Sequence, residues 1–363
     1  MPASGINPAI QQLLDRVAIK PRGDHRGQAD IVGFASTAEQ MDRVLSQCRN
    51  LAEKMQDVLS AQHGWTQDTA FVAGICPHDD YYYAGRLYSL VMPHIRAKRV
   101  ILLGVFHKAK LFECNDRLVF DSYQTWSGPY GDIPVSSLRE SIVKRLPATD
   151  YVIDNRMQMV ELSVEAILPF LQAYDREVEI VPIIVPYMDW DTLDRLAGQA
   201  AIALIATCKE NGWRLGHDLS LICSSDAVHY GDVGWGGANF APFGAGIDGY
   251  NMAVSREIDL AEKYLCGSVS RQKLKEFLYQ CVDSDDVTQY RIPWCGRFSI
   301  PFGLNVASRV TEALESRPLR GYLLDYGTSI SEASLDVEGL DGLDSTAPNN
   351  LHHWVGYAAI GYL

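Results

Sequence analysis

The chain is poor in positive charge. Its 32 Lys and Arg stand against 45 Asp and Glu, leaving a net charge of -13 over 363 residues. No run of basic residues relieves that imbalance, so phosphate backbones and anionic lipid are poor partners and nucleic acid is not expected. Long apolar runs are absent as well. The smoothest one, around 197–208, falls well short of the roughly 20 residues a bilayer crossing needs, so no membrane partner is expected. The N-terminal stretch scatters apolar and polar residues around Asp15 instead of forming a charged end and an apolar block, so no secretory leader is read there. The eight cysteines contain no C-x-x-C pair, and several sit inside apolar runs (Cys76, Cys223). Such usage fits reduced thiols and a cytoplasmic protein better than a disulfide framework. Neither a Gly-rich phosphate loop nor a nucleophile elbow occurs, which disfavours phosphoryl transfer and lipase-like chemistry.

What remains is an ordinary globular composition, 47% hydrophobic and 21% charged, with material for a large core. Short apolar runs alternate with amphipathic stretches, the pattern of βαβ units on a largely parallel sheet. Strands are expected at 71–76, 99–106, 179–185, 219–225, 321–326 and 357–362. Helices are expected at 37–60, 84–97, 136–146, 160–174, 191–211, 251–266, 270–281 and 302–316. The resulting expectation is one large α/β domain, 31–363, with a mostly parallel central sheet flanked by helices and an N-terminal arm, 1–30. Two stretches read as insertions. Residues 231–249 hold seven glycines with Trp235, Phe240 and Phe243, a mobile aromatic loop; residues 331–350 are rich in Ser, Asp and Gly and read as an exposed loop.

In open α/β sheets ligands gather at the carboxyl ends of strands. Three expected strands there run into a histidine: His78 after 71–76, His107 after 99–106, and His229 a few residues after 219–225. One such histidine reads as a hydrogen-bonded loop residue. Three of the nine in the chain at one sheet edge point to convergence, because neighbouring strands lie only about 4.8 Å apart. Carboxylates accompany them. Asp79 and Asp80 follow His78, where turn and cap chemistry is the plain alternative, and Asp226 precedes His229. Cys295 is the one cysteine in a Gly/Pro-bounded loop beside an arginine, a setting that favours thiolate.

These segments carry a family resemblance. "PHDDYYYAG" resembles the Pro-His-Ala-Gly-Tyr-x-Tyr-x-Gly segment of the Memo family, also called AmmeMemoRadiSam system protein B. "ILLGVFHKAKL", "VELSVEAILPFL", "SSDAVHYGD", "WCGRFSIPFGLN" and "VGYAAIGYL" resemble its further motifs in the same order. The resemblance implies a fold related to class III extradiol dioxygenases and one non-haem metal. By motif position the ligands would be His78, His107 and Cys295, with Asp226 and His229 as a second polar pair. Fe(II) is the expected ion, with Zn(II) or copper as competitors because a thiolate softens the site. The departures matter equally. Asp79 and Asp80 stand where the family has Ala-Gly and are expected as an extra ligand or a nearby acceptor. Leu162 and Ile167 stand where the family commonly has histidines, making the wall near Glu161 less polar. Tyr83 is a further pocket candidate.

Three functions follow as expectations. The first is an iron-dependent, dioxygenase-like oxidoreductase acting on a small phenolic or otherwise chelating molecule, with Asp226 and His229 as acid–base groups. The second is a non-catalytic metal-binding protein that recognises a peptide or protein partner. The third is a hydrolase or amidase with Cys295 as nucleophile, His229 as base and Asp226 orienting it. Companion proteins of the AmmeMemoRadiSam set, including a radical-SAM enzyme, are partners implied by the resemblance alone.

Overall fold

Alternate residues of the central strands enter different cores. Ile101, Leu103, Val181 and Ile183 pack on one side, and Val100, Leu102, Ile180 and Ile184 on the other. A period of two with apolar side chains on both faces is what a sheet covered by helices on each side requires. The computed structural model describes residues 7–232, 239–331, 334–336, 342–346 and 349–363. It forms a single mixed α/β domain.

The strands are β1 (His25–Arg26), β2 (Ala73–Cys76), β3 (Arg99–Val105), β4 (Leu118–Phe120), β5 (Thr125–Trp126), β6 (Ile133–Pro134), β7 (Tyr151–Ile153), β8 (Glu179–Val185), β9 (Leu219–Ser224), β10 (His229–Gly231), β11 (Gly267–Ser268), β12 (Arg320–Thr328) and β13 (His353–Tyr362). The main sheet runs β11-β12-β13-β2-β9-β3-β8-β4-β7, with β10 pairing β13. Its centre, β2-β9-β3-β8, is parallel as expected. The flanks join it antiparallel, because β13 runs against β2 and β12, and β4 runs against β8, while β7 runs with β4. Helices Trp190–Asn211, Ile247–Leu265, Arg271–Cys281 and Ser299–Glu315 cover one face. Ala38–His63, Tyr81–Val91 and Leu168–Tyr174 cover the other.

Two helices differ from expectation for identifiable reasons. The one expected at 84–97 begins at Tyr81, behind Asp80, and tightens into a 3-10 turn, Met92–His94, at Pro93, whose ring cannot continue an α-helix. The one expected at 160–174 becomes helical only from residue 165, as a 3-10 turn leading into Leu168–Tyr174. Residues 160–164 are non-helical, and some of their backbone groups are claimed by side chains. Glu161 accepts from the amides of Leu162 and Ser163, and its own carbonyl accepts from Arg26.

Of the two expected insertions, Trp235 lies outside the described residues, while Phe240 and Phe243 rest against the Arg256 guanidinium. The described residues of 331–350 are mostly exposed but pinned. Leu335 and Leu343 are buried, the Leu335 and Asp344 amides donate to the Tyr82 and Val32 carbonyls, and Thr346 bonds Asp80. Residues 18–30 double back on themselves through an Ile19–Gln28 bridge and add β1 to a small sheet with β5 and β6.

Candidate metal centre

Parallel strands β2, β9 and β3 end side by side, and each delivers a polar residue to one spot. Past β2, the His78 amide donates to Asp226 Oδ1 at 2.9 Å, and its Nδ1 lies 2.9 Å from Ser224 Oγ. The Ser224 hydroxyl donates to the Ser163 carbonyl. With that proton committed, Ser224 Oγ accepts from His78 Nδ1–H and so fixes the orientation of the ring. Past β3, Glu161 performs the same service for His107: one carboxylate oxygen takes Nδ1–H and the other takes the His107 amide, each at 2.9 Å. The two rings stand edge to face, centroids 5.3 Å apart.

Cys295 arrives from the loop before helix Ser299–Glu315. Its amide donates to the Asp226 carbonyl at 3.1 Å, and the Gly296 amide donates to Ser225 Oγ at 2.8 Å. That approach requires glycine at 296, since a Cβ there would sit 2.4 Å from the Ser225 side chain. Two donor sets result, His78/His107/Cys295 and Asp226/His229/Cys295, each with its ligand atoms within 4.8 Å of one another. Cys295 belongs to both. Its Sγ lies 3.2 Å from His229 Nε2.

Burial opposes charge on the Cys295 thiol, yet His229, His107 and His78 hold it well below the usual thiol range. Burial likewise opposes the His229 imidazolium, but the facing thiolate pushes it up to about 9. Burial pushes Asp226 up to about 7, with Asp79 and Cys295 adding to the rise and His78 opposing it. Glu161 goes the other way. Burial disfavours its anion, but His107 and the His107 and Ser163 amides hold it at about 2.

These groups line a cavity of about 240 Å³ whose wall also includes Asp30, Phe34, Asp79, Asp80, Lys108, Val160, Leu162 and Thr346. Asp79 and Asp80 line the cavity but belong to neither donor set. Asp79 accepts from the Tyr357 hydroxyl at 2.5 Å and the Asp80 amide at 2.8 Å, and Asp80 accepts from the Thr346 amide and hydroxyl. Tyr83 does not line the cavity; it packs edge to face on Tyr82, and its hydroxyl bonds Ser345. Asp226 does not sit behind His229 as an orienting carboxylate. Its Oδ2 approaches His229 Nε2 at 3.9 Å, the same nitrogen that faces Cys295.

Sequence reasoning missed Asp30, Phe34 and Thr346, which come from stretches without periodicity, and it placed Glu161 on the wall without seeing its grip on His107. An acid two residues before a serine that bridges β3 was the available signal.

Two imidazoles, each held through Nδ1, and one cysteine meet where parallel strands end, a candidate donor set in an α/β protein. The comparisons supply the family. The Memo-like protein model matches residues 36–338, and the chain belongs to that family. It is 28% identical over 190 residues to a MEMO1 family protein of Thermococcus kodakarensis, covering 50% of this chain and 59% of that one, less than two thirds of its length. It is 26% identical over 258 residues to a MEMO1 family protein of Aquifex aeolicus, covering 70% of this chain and 78% of the relative. For one from Pyrococcus furiosus the identity is 24% over 284 residues, or 75% and 85%.

Proposed function

We propose that His78 Nε2, His107 Nε2 and Cys295 Sγ hold one Fe(II) and that the protein is an iron-dependent oxidoreductase for a small chelating molecule. The observation that carries this reading is the paired fixing of the imidazoles. Ser224 and Glu161 occupy both Nδ1 atoms, which turns both Nε2 atoms toward one thiolate. Iron held by three ligands on one side would supply redox chemistry with open positions for O2 and substrate. Zn(II) and copper compete for a thiolate site of this kind.

The residues around it favour particular work. Asp226, pushed up by burial, lies on the cavity wall with His229 beside it and is the acid–base candidate for a substrate proton. Phe34, Val160 and Leu162 give the wall an apolar part against which an apolar portion of a substrate would pack. Four further carboxylates on the wall, Asp30, Asp79, Asp80 and Glu161, against one Lys108, favour a neutral or cationic substrate over an anionic one. Recognition of a peptide, or of companion AmmeMemoRadiSam proteins, is a separate proposal that rests on the family alone.

A second reading has its own observation. The Cys295–His229 contact at 3.2 Å, with the thiol held low and the imidazole high, is a thiolate–imidazolium pair. Asp226 is misplaced for the third role, so a cysteine hydrolase would be a dyad. Anaerobic metal analysis of the purified protein separates the readings. About one iron per chain, lost in His78→Ala and in Cys295→Ser, is the expected result. Stoichiometric zinc or copper keeps the site and changes the chemistry. Failure to hold any metal, reconstitution included, sinks the metal reading and favours the dyad.

A further inference from the structure

One short stretch of chain orients both candidate histidine ligands. Within residues 160–164, the Glu161 carboxylate fixes His107. The Ser163 carbonyl accepts from Ser224, which fixes His78. Ser163 Oγ also bridges the amide and carbonyl of Val105, at the end of the strand that delivers His107. The stretch is neither helix nor strand; the Val160 and Glu161 amides bond back to the Arg156 and Gln158 carbonyls, and the Leu162 and Ser163 amides go to the Glu161 carboxylate.

Arg26 grips the start of this stretch and the end of the helix before it. This residue is fully buried on β1, and its guanidinium is shared among four carbonyls: Gly27 at 3.2 Å, Gln158 at 3.0 and 3.3 Å, Met159 at 3.5 Å and Glu161 at 3.0 Å. It also pairs with buried Glu165, which accepts from the Ala29 and Asp30 amides and so ties the arm to the turn that follows the stretch. The ring of Trp126 stacks on the guanidinium at 4.0 Å. A planar fork of five donors suits this set of acceptors, and an ammonium does not. The family match starts at residue 36, so Arg26 lies ahead of the matched region while its partners at 126 and 158–165 lie within it.

We propose that Arg26 is a positioning residue for the metal centre. By holding the carbonyls of Gln158, Met159 and Glu161 it sets His107 through Glu161, and His78 through Ser163 and Ser224, while touching neither ligand. The proposal rests on the metal reading above.

The test compares the metal-free wild type with Arg26→Lys and with Arg26→Met/Glu165→Met. The first keeps a charge for Glu165 but loses the fork. The second removes both charges so that no buried ion is stranded. Leu204→Ala, a cavity in the core on the other face of the sheet, serves as a control for lost stability. Two readouts are taken on folded protein: Co(II) affinity with its thiolate-to-cobalt absorption, and the low-field proton resonance of His107 Nδ1–H without metal.

Both Arg26 variants are expected to bind Co(II) roughly tenfold more weakly, with an altered band, and to lose or broaden the resonance, while Leu204→Ala keeps all three. Co(II) affinity within about twofold of wild type together with an unchanged resonance overturns the proposal. A Leu204→Ala protein that weakens Co(II) as much as the Arg26 variants overturns it too. A wild type that takes no Co(II) refutes the metal reading instead, and the resonance still decides whether Arg26 positions His107.

Discussion

Glu161→Gln is the substitution whose outcome the structure constrains most closely. Glu161 is 2% exposed and accepts four hydrogen bonds, from His107 Nδ1 and from the amides of His107, Leu162 and Ser163. A carboxyl held at about 2 against an ordinary 4.5 is favoured as the anion by about 3 kcal/mol. Because the folded value is depressed, that stability is fully present above the unfolded pKa and is lost as pH falls through 4.5 toward 2. Glutamine keeps the shape but removes the charge and turns one N–H donor against another. Metal-free Glu161→Gln should therefore unfold in urea with a stability about 3 kcal/mol below wild type at pH 7 and about half that deficit at pH 3. A deficit under about 1 kcal/mol at pH 7, or one that does not shrink at pH 3, would refute the account of how Glu161 is held.

Cys295 should be the first of the eight cysteines alkylated by iodoacetamide in native metal-free protein at neutral pH. Its thiol is held low beside an open cavity, whereas burial pushes up Cys48, Cys76, Cys223 and Cys281; peptide mapping by mass spectrometry reads the order. Gly104→Ala should cost about 1–3 kcal/mol in urea unfolding, since a Cβ would meet Val164 Cγ2 at 2.5 Å and Ser163 Oγ at 2.7 Å; a neutral effect would mean the 160–164 stretch yields freely. Asp79→Ala and Asp80→Ala should each keep the wild-type metal stoichiometry with affinity altered by less than about tenfold, and loss of metal in either would restore a ligand role to that carboxylate.

The sheet centre was legible because β2, β3, β8 and β9 are buried on both faces and read as continuous apolar runs. Their carboxyl ends then pointed to His78, His107 and His229 without further help. Cys295 was marked by its loop, but its place beside the histidines came only through the resemblance, since 66 residues of chain separate it from His229. The antiparallel flanks were not legible. Nothing in residues 357–362 distinguishes a strand that runs against β2 from one that runs with it. Arg26, Asp30 and Thr346 were invisible for a different reason. Each acts through contacts more than a hundred residues away in sequence, from segments whose local pattern says only that they are polar. The helix expected at 160–174 failed at its start because Arg26 and Glu161 claim backbone groups that helical propensity alone would assign to the helix.

The position of β13 sets an order of assembly. It lies between β12 and β2, and Tyr357 on it holds Asp79, the residue after His78. During synthesis β2 therefore waits for a neighbour made nearly 300 residues later, long after its own helix is complete. Until then the edge of β2 is an unpaired ribbon open to other chains, and the wall beside His78 lacks its support. An ion taken up at the proposed site would therefore be held only late in folding, because before β13 is in place it would meet histidines whose scaffold is unfinished.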